Sequence, residues 1–599
     1  MRIEDYAMVG DLHTAALVGA DGSVDWLCLP RFDSDAAFAA LLGDEENGSW
    51  RLAPTAADAV ARRSYRGDSL VLDTEWTCGE GRIRVTDLMP PREQQPRLVR
   101  IVEGLDGDVA VRGTLRVRLG YGRVVPWVTR EPGGLRAVAG PDALWLTTAA
   151  PLLGADHSTV SDFRVCAGER VAFTLAWAPS TDPAPAVPDP LDELQRTEEF
   201  WSGWSGRLPA DLPYRAAVVR SLVTLKGLTY RPTGGIVAAA TTSLPEDPGG
   251  VRNWDYRFCW LRDAALTLGA LLRCGYVDEA AAWRDWLVRA VAGDPADVRV
   301  LYGVAGERRL PEVELGWLAG YEGARPVRIG NGAADQVQLD VYGEVLDAFH
   351  LAREAGLPDD GRAWDVQRAL LGHLERHWQD PDQGIWEVRG EPRHFVYSKV
   401  MAWVAFDRAA QAVTEHGLPG DADRFRAVRD TIHADVLEHG FDERLDSFVQ
   451  SYGSSDVDAA LLLLPQLGFL PAGDPRIVGT VDRVQRELVV DGLVRRYRVG
   501  STGGSSDGVS GDEGAFLVCS FWLADALALV GRPEQARALF ERLLGLTNDV
   551  GLLAEEYDPV HRRQLGNTPQ AFSHVGLVNT ALNLAGHSPQ LGSRRRHRG

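Results

Sequence analysis

Two acidic stretches carry the residue types that could break a glycosidic bond. In "GIWEVRGEPRHF", residues 384–395, Glu387 directly follows Trp386, with Arg389, Glu391, Arg393 and His394 close behind. In "AEEYDP", residues 554–559, Glu555 and Glu556 crowd against Tyr557 and Asp558. Glycoside hydrolysis uses two carboxyl groups: one stays protonated to donate to the leaving oxygen, and the other is ionised to activate water or attack carbon. An indole beside a carboxylate lowers the local polarity, disfavours the anion and raises its pKa toward the value of about 6 that suits a general acid. Glu387 is the candidate acid on that ground, with Trp386 as the apolar wall and a substrate-binding candidate. Its partner is Glu555 or Glu556, which residue type and spacing alone do not rank.

Both stretches fall in loops between helices. From about residue 207 to 588 the apolar residues recur with the helical period, and twelve helices are expected between residues 215 and 585. The connections alternate, about 17 residues or more after odd helices and about 2 to 10 after even ones, against a usual 2 to 8 in bundles. Such alternation decorates one end of the assembly and leaves the other plain, the layout of six helical hairpins closed into an (α/α)6 barrel. The long loops concentrate Trp, Arg and acids, notably in "NWDYRFCWLRD" (253–263), in residues 306–336, and in "RRYRV" with "GDEGAF". Aromatic platforms with fixed carboxylate and guanidinium groups suit a small saccharide, whose C–H faces stack on rings while its hydroxyls need paired donors and acceptors.

Before residue 178 the period is two. Val109, Val111, Leu115, Val117 and Leu119 alternate with Arg112, Thr114, Arg116 and Arg118, and Val171, Phe173, Leu175 and Trp177 repeat the pattern. Many such runs separated by Gly, Asp and Pro turns predict an antiparallel β-sandwich over residues 1–178. Five prolines in "APSTDPAPAVPDPL" exclude regular helix and central strand, so residues 179–206 read as a linker and lead-in helix. Residues 589–599 form a basic tail read as solvated.

The formal net charge of −21 argues against a nucleic-acid partner. No apolar stretch is long enough to span a membrane, and the N-terminus lacks the features of a signal peptide. The six scattered cysteines never form a CxxC, and the 13 histidines include no HExxH, so reduced thiols, a cytoplasmic location and no metal or other cofactor are expected. A homo-oligomer is compatible with all of this. Only two of 63 basic residues are lysines, Lys226 and Lys399, and Lys399 enters as a binding-site candidate because a place that retains Lys can require a compact ammonium.

Together, "NWDYRFCWLRD", "PVRIGN", "GIWEVRGEP", "AEEYDP" and "GNTPQAFSH", with the "SVDWLCLPRFDS" opening at residues 23–34, resemble glycoside hydrolase family 15, the inverting glucoamylase and trehalase family, in its bacterial form with an N-terminal β-sandwich. The resemblance covers nearly the whole chain. It implies Glu387 as general acid and Glu555, the first Glu of the AE(E/Q)Y pattern, as general base. It implies further that Tyr256 holds the catalytic water, that Trp260, Arg262 and Asp263 grip the terminal glucose, and that Arg328 contacts substrate. Inversion places the acid and base about 6.5 to 9.5 Å apart. The expected activity is exo-hydrolysis of a small α-glucoside with release of β-glucose, trehalose first, with glucoamylase-like cleavage of maltose or isomalto-oligosaccharides as the alternative. Two other classes fit parts of the pattern: a phosphorolytic enzyme, which needs no base at Glu555, and a carbohydrate-binding protein without chemistry. The bland readings are that Arg262 and Asp263 form only a structural ion pair, that Trp254, Trp260 and Trp317 are barrel core, and that Glu312, Glu314, Asp512 and Glu513 are the rival acids.

Overall fold

The computed structural model describes residues 1–209, 212–358, 361–498, 508–509 and 511–586. The basic tail lies outside the described residues.

The N-terminal part is built of antiparallel strands in two layers that share one long strand, Arg97–Arg116. Its first half pairs with Arg170–Pro179 and Gly81–Leu88, and its second half with Ser158–Cys166 and Ser49–Pro54. Side chains alternate across a strand, so the valines at 109 and 111 and Leu115 turn inward and are buried while Arg112 is exposed. The alternation breaks at Arg116 and Arg118. Both are also buried, because their guanidinium groups turn to Glu46 at 3.1 and 3.7 Å. The layers are pinned by Arg100, fully buried, which donates to Asp87 at 2.7 Å and to the carbonyls of Trp50 and Gly22.

After the last strand ends at Pro179, a helix Pro190–Ser205 leads into the second part. There, among the described residues, twelve helical segments follow: α1 (Arg215–Gly227), α2 (Leu261–Arg273), α3 (Val277–Val291), α4 (Asp340–Glu354), α5 (Gly361–His377), α6 (Val396–His416), α7 (Ala422–His439), α8 (Leu464–Leu467, entered through a 3-10 turn Ala459–Leu463), α9 (Pro475–Leu488), α10 (Leu517–Leu529), α11 (Pro533–Leu544) and α12 (Ala571–Leu584). The even-numbered helices form an inner ring: α2 packs on α4, α4 on α6, α6 meets α8, α8 meets α10, α10 packs on α12, and α12 closes on α2.

Composition decides which ring a helix joins. An inner helix is enclosed on every side, so α10 is buried without a break from Leu517 to Leu527. An outer helix buries one stripe, as α11 does with Ala536, Phe540 and Leu543. The long segments 228–260, 292–339, 378–395, 440–458, 489–516 and 545–570 all run from an outer helix into the N-terminus of an inner one. Six inner N-termini therefore converge on the decorated end, where the partial positive charge of the helix dipoles favours anionic side chains.

Candidate active site

The decorated end holds a pocket lined among others by Trp254, Tyr256, Trp260, Arg262, Trp386 and Glu387. Its walls are built at helix starts. Trp260, Phe516 and Gln570, the residues that precede α2, α10 and α12, all face it.

Glu387 comes from the loop before α6. Its backbone is left-handed, with φ of 56°, a conformation that costs a side-chain-bearing residue energy and persists where surroundings enforce it. The enforcement is visible: Glu387 N donates to the Gly384 carbonyl and Val388 N to that of Gln383, closing a tight turn. The side chain is 22% exposed. Its Oε1 accepts the indole N–H of Trp260 at 2.6 Å, and a guanidinium nitrogen of Arg262 lies 3.8 Å away. Burial pushes the Glu387 carboxyl above the usual carboxylate range, while Arg262 and the Trp260 bond pull against it.

Glu555 lies just before the strand Glu556–Asp558 and is fully buried. Its Oε1 accepts the Tyr256 hydroxyl at 2.7 Å, and its Oε2 accepts Asn567 N at 3.2 Å. Burial raises its proton affinity and Glu246 adds to the effect, while Arg496 and Tyr256 oppose it. Gly566, left-handed at φ of 74°, makes room: a Cβ there would stand 2.4 Å from Glu555 Oε2. Glu387 and Glu555 share no hydrogen bond among the described residues. They meet through an aromatic pair, the rings of Trp260 and Tyr256, edge to face with centroids 5.2 Å apart. One ring grips each carboxylate.

Arg262 donates to Asp263 at 2.8 Å and to the Ile385 carbonyl at 2.6 Å, so the ion pair exists and one of its members also braces the turn that carries Glu387. Trp260 is 2% exposed yet stands on the cavity wall, so it serves as core and as lining at once. Trp254 lines the mouth, with the guanidinium groups of Arg389 and Arg328 4.3 and 4.7 Å from its ring centre. Trp317 lies elsewhere, bonded to the Tyr121 carbonyl of the sandwich.

Two of the candidate residues, Lys399 and Arg328, lie off the cavity lining. Lys399 does not reach the cavity: it is 1% exposed and donates to the carbonyls of Trp378 and Asp380, which follow the end of α5 and leave oxygens to satisfy. Its compact ammonium serves a helix end. Arg328 is not part of the cavity lining: it donates to the carbonyls of Val251 and Asn253 and backs Trp254, while Arg389, two residues past Glu387, takes the lining position. The indole N–H on Glu387 is that of Trp260. Trp386 lines the cavity, but its N–H turns to buried Asp458 at 3.0 Å and its ring packs on Phe516, Trp522 and Tyr497, pegging the turn into the barrel.

Two of the rival acids are held in ion pairs. Glu312 pairs with Arg389 at 2.8 Å, and Glu513 with Arg496 at 2.6 Å. Arg496 also binds Glu246 at 2.7 Å and Glu556 at 3.2 Å, which gives Glu556 a structural partner that Glu555 lacks. The sequence marks this charged cluster only by the bare "RRYRV" signal, although Glu246 and Arg496 line the cavity; Glu246 sits in "LPEDP" with nothing to mark it.

A helical barrel with convergent N-termini, with Glu387 on the cavity wall and Glu555 buried behind the lining residue Tyr256, is that of a glycoside hydrolase. Residues 213–582 match the model of glycosyl hydrolases family 15, and residues 1–162 that of a trehalase-like N-terminal domain. The chain belongs to glycosyl hydrolase family 15. It is 40% identical to a trehalase of Mycobacterium tuberculosis over 97% of this chain and 89% of that one. It is 36% identical to a trehalase of Thermoplasma volcanium over 97% and 93% of the two chains. A bacterial glucoamylase solved with acarbose superposes with a TM-score of 0.73 at 14% identity, covering 98% of this chain and 94% of its own, which speaks to the fold. Among the described residues, no helix is long and apolar enough to cross a membrane.

Proposed function

We propose that the chain is an inverting hydrolase of small α-glucosides whose substrate is trehalose. The observation that carries the chemistry is the pair of bonds from one aromatic pair, Trp260 N–H to Glu387 and Tyr256 O–H to Glu555. In this reading Glu387 protonates the departing glycosidic oxygen, and the Trp260 N–H steadies the anion that remains. Tyr256 keeps its proton in the hydrogen bond to Glu555, and its oxygen accepts a hydrogen bond from a water. Glu555 accepts that water's proton as it attacks the anomeric carbon from the opposite side. Trp260, Arg262 and Asp263 hold the terminal glucose, and Trp254 with Arg389 faces the second sugar.

The substrate rests on the curated relatives, which are trehalases along nearly the whole chain. An isomaltose glucohydrolase of Kribbella flavida, 26% identical over 54% of this chain, keeps glucoamylase-like cleavage as the second reading. All six cysteines are free, which supports work in the reducing cytoplasm.

The test is incubation with trehalose, maltose and isomaltose, with and without phosphate, followed by NMR at early times. Inversion of trehalose releases one β-glucose and one α-glucose together. Only α-glucose at first would point to retention, glucose 1-phosphate to phosphorolysis, and faster cleavage of maltose or isomaltose to the second reading.

A further inference from the structure

The residue after Tyr256 is held by the sandwich. Arg257 is 1% exposed, and its guanidinium spans the two parts of the chain. On the barrel side, Nε and Nη2 donate to the two oxygens of Asp255 at 2.9 and 2.6 Å. On the sandwich side, Nη1 donates to the Ser34 carbonyl at 2.9 Å, and the guanidinium carbon lies 5.4 and 5.8 Å from the ring centres of Tyr121 and Trp26. Asp255 in turn accepts Gly330 N at 3.1 Å. The segment alongside is tied down too: Trp26 Nε1 donates to the Ala240 carbonyl at 2.8 Å, while Ala239 N and Ala238 N donate to the carbonyls of Tyr256 and Phe258. Tyr256 therefore sits in the connection between the short strands Asn253–Asp255 and Cys259–Trp260, with Arg257, held by the sandwich, next to it and the 238–240 segment, itself tied to Trp26 of the sandwich, alongside.

We propose that Arg257 is the positioning residue through which the N-terminal sandwich sets the Tyr256 hydroxyl, and with it the orientation of Glu555; this rests on the reading of Glu555 as the base. The sandwich is then a working part of the active site rather than an appendage. Carbonyl and ring partners on one side and a carboxylate on the other use the planar fork of a guanidinium fully, and an ammonium cannot reach all of them. A base displaced by a fraction of an ångström loses rate without loss of substrate binding.

The experiment compares Arg257→Lys, Tyr121→Leu and Tyr121→Phe in the full chain, by kcat and KM on trehalose across pH and by Tm. Arg257→Lys should lower kcat about 10- to 100-fold with little change in KM. Tyr256 bonds the Glu555 anion, so loosening it makes Glu555 hold its proton more tightly, and the acid limb of kcat should move to higher pH. Tyr121→Leu, which alters only the sandwich, should shift both in the same direction and carries the test if Arg257→Lys does not fold. Tyr121→Phe keeps the ring and should resemble the parent. Unchanged kcat and acid limb in both Arg257→Lys and Tyr121→Leu, or a fall in kcat that tracks KM, would overturn the proposal. Glu555→Gln runs beside them: if it retains turnover, the reading of the base fails, whereas a dead Glu555→Gln with normal Arg257→Lys and Tyr121→Leu sinks the positioning role alone.

Discussion

Trp260→Phe isolates one atom pair. Phenylalanine keeps an aromatic ring against Tyr256 and removes the N–H that lies 2.6 Å from Glu387 Oε1. A hydrogen bond to a charged group contributes about 1.5–3 kcal/mol. Glu387 is neutral when it begins to donate and anionic when it has finished, so the bond strengthens along the reaction coordinate and belongs mostly to the transition state. If about half the charge has developed there, the loss is about 0.8–1.5 kcal/mol, or roughly 4- to 13-fold in kcat. The pH profile moves in a defined direction. The N–H favours the anion, so without it Glu387 keeps its proton to higher pH, and the alkaline limb of kcat/KM, where the acid is lost, moves up. The assay is initial-rate glucose release from trehalose across pH, with Tm measured in parallel. An alkaline limb that stays put or moves down, or a kcat equal to that of the parent, would refute Glu387 as an acid tuned by Trp260.

Other perturbations follow from the same contacts. Gly566→Ala places a methyl where Glu555 Oε2 stands and strains a left-handed residue, so kcat should fall by at least about 100-fold, while circular dichroism reports an intact fold. Lys399→Met should lower Tm, by the equivalent of about 1–3 kcal/mol from two unsatisfied carbonyls, and leave kcat/KM within about twofold, because Lys399 touches no part of the cavity. Asp340, at the start of α4, is pushed up to about 7 by burial first and by Asp382 second. Its folded-state pKa is raised, so the stability it supports is present below its ordinary value and is lost as pH rises through about 7. Asp340→Asn should therefore exceed the parent in Tm by more at about pH 8.5 than at about pH 5; a gain that shrinks as pH rises would reverse the argument.

Much of this protein is written locally. Period-two runs and helical runs, with prolines between them, mark two unlike parts because each periodicity reflects a surface that must be buried by its own neighbours. The alternation of long and short connections in turn marks the end that carries the chemistry. Glu387 stands out beside Trp386, and the tight turn that holds it uses only residues 383–388. What the chain cannot state locally is which groups meet after closure. The indole on Glu387 is 127 residues away and the hydroxyl on Glu555 is 299 residues away, so their pairing is decided when the inner ring closes. The nearer indole, Trp386, loses that role because its N–H finds buried Asp458 and its ring finds an aromatic pocket. Lys399 and Arg328 carry charges that suit a sugar site, yet backbone carbonyls left open at a helix end and beside Trp254 claim them first, since a buried carbonyl without a donor is costly. Tertiary closure also brings the Ser34 carbonyl to Arg257, giving the sandwich its hold on the residue next to Tyr256.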